Sequence, residues 1–407
     1  MKYLLSKAYS LVACALVLVL AGCTTTGSQQ PSDIGPALQQ LVETQYGQFR
    51  ETYNLPDHLG MLLFMHTPKG DFTAQAGFPD DGYDEDTHYR IASVTKTFTA
   101  ASIMLLDQAG ALDIEDTVTD TIMDKGIRYL PDTDEYAIPY KEEITIRDLL
   151  AHRAGIFDVF NDPIPEESQQ SYAGMNYVEY IMETEDTPHQ FSFAEMASVL
   201  AKNQLSYGRP GSLYHYSDLG YMLLAVIIER VSGMPYSQFL EEHFFTPMLL
   251  QNTTSVNQAD DTGLPDPYFT GYSRWDAGYF ETTEDNLTSN IGAGNIISTP
   301  RDMAHWIRGL LAGKGSLSPA QIQRMKMIPE GNISYALGIS KTPVGIGHSG
   351  AHPGYLNFVQ YNEEHDVALV VVAPFLDYDA GSMDHISAVS QCMLAIMEGA
   401  LRLYDGN

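Results

Sequence analysis

Cysteine and basic charge are both scarce in this 407-residue chain, with three Cys and with 22 Lys plus Arg set against 52 Asp plus Glu. Cys14 falls in an N-terminal targeting segment and Cys23 at its end, so only Cys392 remains as an ordinary side chain and an intrachain disulfide is excluded. Cys392 stands beside Met393, Leu394 and Met397, the setting of a small buried hydrophobe and not of a catalytic thiol. The formal net charge of −30 excludes nucleic acid as a partner and excludes electrostatic adhesion to anionic lipid. No H-E-x-x-H or other paired ligand spacing occurs among the histidines, which leaves metal chemistry without support, and no G-x-S-x-G appears, which argues against an α/β-hydrolase. No metal or cofactor is expected.

The apolar run from Ala8 to Leu20 is also too short for a membrane-spanning helix, which needs about 20 residues. Preceded by Lys2 and Lys7 and followed by Leu20-Ala21-Gly22-Cys23, it reads as a signal peptide over residues 1–22. The small residues before the cysteine resemble the lipobox of bacterial lipoproteins, which implies lipidation at Cys23. Thr24, not Asp, follows it, and by that resemblance the mature protein belongs to the cell envelope, at the outer membrane facing the periplasm. A stretch over 23–34, rich in Thr, Ser, Gln and Gly, is a flexible tether.

The remainder, 35–405, reads as one discontinuous α/β domain. Leu38, Leu41, Val42, Tyr46 and Phe49 share a helical face. Met61–Met65 and Phe72–Ala76 flank Thr67-Pro68-Lys69-Gly70 as a hairpin, and Ile333–Ile339, Tyr355–Tyr361 and Val367–Ala373 are three further strand-like runs. A final amphipathic helix covers about Asp384 to Leu403. Between these, Ser93–Ala109, Ile146–Ala151, Tyr221–Val231 and Pro300–Ala312 have helical patterns, the last opened by Ser298-Thr299-Pro300. The expectation is an antiparallel sheet of about five strands built from both chain ends and flanked by helices (35–110 and 285–405), with an all-helical lobe over 111–284. Phe157 to Phe193, acidic and aromatic, is either a wall over a pocket or a variable surface insertion.

One tetrapeptide carries chemistry. Ser93-Val94-Thr95-Lys96 opens a helix-like run, and a spacing of three puts both side chains on one face. A serine hydroxyl is a poor nucleophile until a base takes its proton, and a lysine amine can be that base if its surroundings lower its pKa. Downstream come Tyr214-His215-Tyr216-Ser217-Asp218 and Gly347-His348-Ser349-Gly350-Ala351, with Thr145–Ile156 and Gly292–Met303 as supporting segments.

With these motifs in this order, the chain resembles the serine β-lactamase and DD-peptidase family, in the branch of class C β-lactamases, D-alanyl-D-alanine carboxypeptidases, D-aminopeptidases and related esterases. The resemblance spans roughly Leu59 to Met397 and implies a β-lactamase/transpeptidase-like fold. It further implies Ser93 as acylated nucleophile, Lys96 as its activating amine, Tyr216 as proton shuttle, and the backbone amides of Ser93 and Ala351 as oxyanion hole. Asp218, His348, Ser349 and Gly350 take the substrate-binding positions.

Two positions depart from the family pattern. Asp218 stands where Asn is usual and, when ionised, can only accept, so it should hold Lys96 charged and offers no donor to a penicillin side-chain amide. His348 replaces a lysine suited to a substrate carboxylate, and is largely neutral at pH 7. A literal Tyr-x-Asn also occurs at Tyr355-Leu356-Asn357, but it follows the His348-Ser349-Gly350 motif within an alternating strand and is not taken as the second motif. The implied activity is hydrolysis of a small-molecule or peptide amide or ester of carboxypeptidase, aminopeptidase or esterase type. A class C-like β-lactamase and a non-catalytic binding lipoprotein on a degenerate hydrolase fold are the alternatives, and the oligomeric state stays open.

Overall fold

The computed structural model describes residues 34–79, 82–185, 188–275, 278–378 and 382–406. The signal peptide, Cys23 and the tether up to residue 33 therefore lie outside the described residues. Helix α1 (Ile34–Tyr53) leads into β1 (Met61–Thr67) and β2 (Gly70–Ala76), and β3 (Tyr89–Arg90) precedes α2 (Thr95–Gln108). Helices α3 (Ile146–Leu150), α4 (Tyr177–Thr184), α5 (Phe193–Asn203), α6 (Asp218–Ser232) and α7 (Tyr236–Leu240) follow. The chain continues through β4 (Thr254–Ser255), β5 (Tyr272–Trp275), β6 (Gly278–Glu281), β7 (Ile296–Ser298), α8 (Pro300–Leu311) and α9 (Pro319–Lys326). It closes with β8 (Ser340–Lys341), β9 (Ile346–His352), β10 (Tyr355–Asn362), β11 (Val367–Ala373), β12 (Phe375–Asp377) and α10 (Ser382–Asp405).

The principal sheet has the order β2-β1-β11-β10-β9-β8 and is antiparallel throughout. Strand β1, from one chain end, pairs with β11, from the other, in the register Phe64 opposite Val370. Side chains alternate across it. Leu62, Phe64, Val370 and Val372 pack toward α2 and α8, while Leu63, Met65, Leu369 and Val371 pack toward α1 and α10. Because both faces are covered, β1 and β11 read as unbroken apolar runs. Helix α10 also has the length and hydropathy of a membrane span, yet 56% of that window is buried, and α10 packs on α1 and the sheet.

The sheet has six strands, in keeping with the expected five or so, but one of the five expected runs is not a strand. Ile333–Ile339 is irregular: Ile333 is 93% exposed, while Leu337 and Ile339 are buried. At Gly338, φ is +74° and a Cβ would fall 2.2 Å from Ala100 Cβ, so this apolar run packs on α2. The strand is β9 instead, whose Gly347 and Gly350 disguise it. A Cβ at Gly347 would meet Val359 O at 1.9 Å, and one at Gly350 would meet Ile91 O at 2.1 Å.

The span 111–284 is mainly helical and irregular, but it is not all-helical. It contains β4, which pairs with β7, and the β5–β6 hairpin, which pairs in parallel with β12. Helix α2 is the shared axle of the molecule. Its residues from Thr95 to Met104 are all buried, packed between the sheet lobe and α6. Phe98 stacks on Trp306 of α8 at 3.7 Å between ring centroids, and Trp306 Nε1 donates to Thr97 Oγ1 at 2.7 Å. The start of α2 is thereby fixed against both lobes, and Ser93 stands just before it.

Candidate active site

Tyr89 and Arg90 pair with Ser298 and Ile297 of β7, which holds the chain entering the nucleophile turn. Ala92 then takes φ +51°, a left-handed conformation that costs an L-residue about 1–2 kcal/mol. That reversal lifts Ser93 into a short 3-10 turn over Ala92–Val94, and Lys96 follows in the first turn of α2. Asn357 Nδ2 on β10 donates to Ile91 O and to Gly350 O, both at 3.2 Å, and so ties the turn to β9.

Lys96 is fully buried and has three oxygen partners. Its Nζ lies 3.0 Å from Ser93 Oγ, 2.8 Å from Ala293 O and 2.6 Å from Asp218 Oδ1. Burial draws the pKa of its ammonium down, and the Asp218 carboxylate opposes that. The Ala293 carbonyl is held in place because Thr99 Oγ1 of α2 donates to Gly292 O at 2.6 Å. At Gly292, φ is +86° and a Cβ would lie 2.8 Å from Ala225 Cβ, so this turn requires glycine.

The Tyr216 hydroxyl faces Ser93, and burial raises its pKa well above the usual phenol value, so it remains un-ionised. The Lys96 ammonium lies 4.9 Å from the centroid of the same ring. His152, which the sequence reading did not single out, sets this segment. Its carbonyl accepts from His215 N at 2.8 Å, its Nδ1 accepts from Ser217 N at 3.1 Å, and its ring lies 4.1 Å from that of Tyr216. An Nδ1 that accepts makes His152 a neutral imidazole protonated at Nε2, and burial keeps its pKa well below the usual value.

Asp218 is the first residue of α6, behind its N-cap Ser217. Its Oδ2 accepts from Asn161 Nδ2 at 3.0 Å, and its backbone N donates to Asp158 Oδ2 at 3.1 Å. Asp158 and Asn161 belong to the Phe157–Phe193 segment, whose opening residues Phe157–Phe160 are all buried. These opening residues are therefore not a surface insertion but are packed beside Asp218. The only sequence signal for them is their position directly after Ala151-His152-Arg153-Ala154-Gly155.

On β9, His348 is 4% exposed and both ring nitrogens are engaged. Tyr335 Oη lies 3.0 Å from Nε2 and the Ser349 carbonyl 2.5 Å from Nδ1. A carbonyl can only accept, so Nδ1 carries the proton and the phenol donates to Nε2, which is a neutral imidazole. Burial, and then Lys96, push its pKa down to about 3. Ser349 and Ala351 are half-buried and Gly350 is buried. Strand β8 pairs only with Ile346 and Gly347, so from His348 onward the outer edge of β9 is free of strand pairing where it packs against the Ser93 turn. The structure therefore brings Ser93, Lys96, Tyr216 and Asp218 into contact, with His348, Ser349, Gly350 and Ala351 on the adjoining strand.

Elsewhere, His66, Asp71 and His305 have ligand atoms within 4.8 Å of one another, the one such grouping among the described residues. Arg301 Nη1 already holds Asp71 at 3.1 Å and Arg308 Nη1 lies 3.2 Å from His66 Nε2, so the grouping is an ion-pair network hostile to a cation.

The model of the Beta-lactamase family matches residues 58–380. The chain belongs to the Beta-lactamase family. Among curated proteins, a penicillin-binding protein of Bacillus subtilis (strain 168) is 26% identical over 307 residues, covering 70% of this chain and 60% of that one. Protein flp of Staphylococcus aureus (strain MW2) is 25% identical over 300 residues, covering 70% and 53%. The chain thus spans between half and two thirds of the length of these relatives. Among solved structures, D-amino acid amidase from Ochrobactrum anthropi SV3, complexed with D-phenylalanine, superposes with a TM-score of 0.71 at 21% identity over 91% of this chain and 99% of that one. A D-stereospecific amidohydrolase from Streptomyces sp. gives 0.67 at 23% identity over 88% and 97%. These likenesses establish the shared fold, and family and fold together make the chain a member of a serine hydrolase family.

Proposed function

We propose that this protein hydrolyses an amide or ester through an acyl-enzyme on Ser93, with a substrate whose leaving side carries no free carboxylate. The observation that carries the reading is the position of the fully buried Lys96 Nζ, 3.0 Å from Ser93 Oγ. The neutral amine takes the serine proton as Oγ attacks the carbonyl carbon; the Tyr216 phenol relays a proton to the departing amine or alkoxide. Water then attacks the ester with the same groups acting in reverse. The backbone amides of Ser93 and Ala351 are the donors for the oxyanion. The substrate preference rests on His348, which is neutral and has both ring nitrogens engaged, so it offers a substrate carboxylate neither a charge nor a free donor. The D-amino acid amidase likeness fits an amide substrate.

The test is a panel of D-amino acid amides, D-alanyl peptides, p-nitrophenyl esters and nitrocefin with wild type and Ser93→Ala. Cleavage of amides or esters by the wild type alone is expected. Full activity in Ser93→Ala would overturn the reading. Failure of a fluorophosphonate to label Ser93 would instead favour the non-catalytic binding protein, and rapid nitrocefin turnover the β-lactamase.

We further propose residues 1–22 as signal, lipid on Cys23 and a tether to 34 that carries the 35–405 domain at the outer membrane, on the strength of Leu20-Ala21-Gly22-Cys23. Detergent-phase partitioning that disappears in Cys23→Ala is the expected result, and an aqueous wild type would refute it.

A further inference from the structure

Asp158 lies between α3 and α4 and is 1% exposed. Its Oδ1 accepts from Phe160 N at 3.2 Å, and its Oδ2 accepts from Asn161 Nδ2 at 2.8 Å and from Asp218 N at 3.1 Å. The same Asn161 nitrogen donates to Asp218 Oδ2 at 3.0 Å. One primary amide therefore spends both of its hydrogens on tying two carboxylates together. The cation that both carboxylates act upon is Lys96.

We propose that Asp158 is a positioning residue of the active site: it fixes Asp218 against Lys96 and places a second negative charge behind it. The inference rests on Ser93 being activated by Lys96. Two effects follow from one placement. The Asp158 carboxylate, with Asn161, orients the Asp218 side chain and anchors the first N–H of α6. Its charge also favours the ammonium form of Lys96, and so raises the pH at which that amine becomes free to accept the Ser93 proton.

The charged and titratable groups around Asp158 are few. Asp218 faces it from α6, Lys96 from α2, and Asp162 from its own loop. Tyr207, on the segment before α6, gives its hydroxyl to Asp162 and is kept un-ionised by burial. Burial, and next the Asp218 charge, push the Asp158 carboxyl up from its ordinary range. Its three N–H donors pull the other way, and every hydrogen bond it receives suits a carboxylate.

The experiment measures the rate at which a fluorophosphonate labels Ser93 in the full chain as a function of pH, for wild type, Asp158→Asn and Asn161→Leu. In Asp158→Asn the midpoint of the rate rise is expected to move about one pH unit toward acid, because Lys96 loses a neighbouring negative charge. In Asn161→Leu the plateau rate is expected to fall about tenfold, with the fold retained by circular dichroism. A folded Asp158→Asn protein with the wild-type midpoint would overturn the proposal, as would an Asn161→Leu protein with the wild-type plateau. If Asp158→Asn fails to fold, Asn161→Leu decides alone. A wild type that is never labelled would instead remove the Ser93 reading, and that is visible before any variant is made.

Discussion

The side-chain amide of Asn357 reaches the carbonyl oxygen of Ile91 at 3.2 Å, two residues before the nucleophile. Asn357 belongs to a Tyr-x-Asn sequence that is not the second catalytic motif, yet it braces the catalytic turn. Its companion Tyr355 gives its hydroxyl to Phe269 O at 2.8 Å, a buried structural bond between β10 and the segment leading into β5.

Replacing Asn357 with Leu removes the donors to Ile91 O and Gly350 O, both in buried surroundings. Stability is expected to fall by about 1–3 kcal/mol, from the carbonyls left unpaired. Chemical denaturation measures that loss. The fluorophosphonate rate should fall with it even at temperatures where the variant is fully folded, because the nucleophile turn is no longer tied to β9.

Gly350→Ala tests the same contact sterically. The added Cβ would meet Ile91 O at 2.1 Å, and neither backbone can yield without moving Ser93 or β9. Labelling of Ser93 is expected to drop by about 100-fold, as for other small misplacements of reacting groups. An alanine variant with wild-type labelling would show that the turn can shift freely.

Stability should decline as the pH falls below about 6.5, because of His348. Its folded pKa is pushed down to about 3, so between these two values the unfolded chain binds a proton that the folded chain refuses. Unfolding free energy therefore rises with pH across that window. His152, also buried and neutral, adds a slope of the same sign. His348→Gln keeps a polar side chain without the titration, and a urea series from pH 4 to 7 should show a shallower acid slope than wild type.

Trp306→Ala removes the stack on Phe98 and the donor to Thr97 Oγ1. A loss of about 3–5 kcal/mol is expected for a buried Trp truncated to Ala. Thermal unfolding followed by circular dichroism would measure it. Since Phe98 and Thr97 lie on α2 next to Lys96, the labelling rate should fall as well.

Local chemistry explains what was legible in the sequence. Ser93 and Lys96 are three residues apart, on the 3-10 turn and the first turn of α2 that continues it, and Tyr216 and Asp218 flank an N-cap serine, so these pairings depend only on short-range geometry. The two-faced strands β1 and β11 advertise themselves as apolar runs, since both of their faces are covered. Strand β9 did not: its Gly347 and Gly350 answer to the approach of Val359 and Ile91, which are distant or unrelated in local pattern. Ile333–Ile339 had the composition of a strand, but its apolar side chains were needed on α2 and not in the sheet.

Tertiary structure alone decided how the two departures from the family pattern work. Asp218 acquires Asn161 and Asp158 as neighbours from a loop some 60 residues earlier, a proximity created by packing that loop against the start of α6. His348 is kept neutral by burial and then by the nearby Lys96, while Tyr335 and the Ser349 carbonyl occupy its ring nitrogens. A sequence specifies which groups can ionise and which pairs lie within one helical turn. Burial and long-range hydrogen bonds set which of them do ionise, because the cost of desolvating a charge depends on everything packed around it.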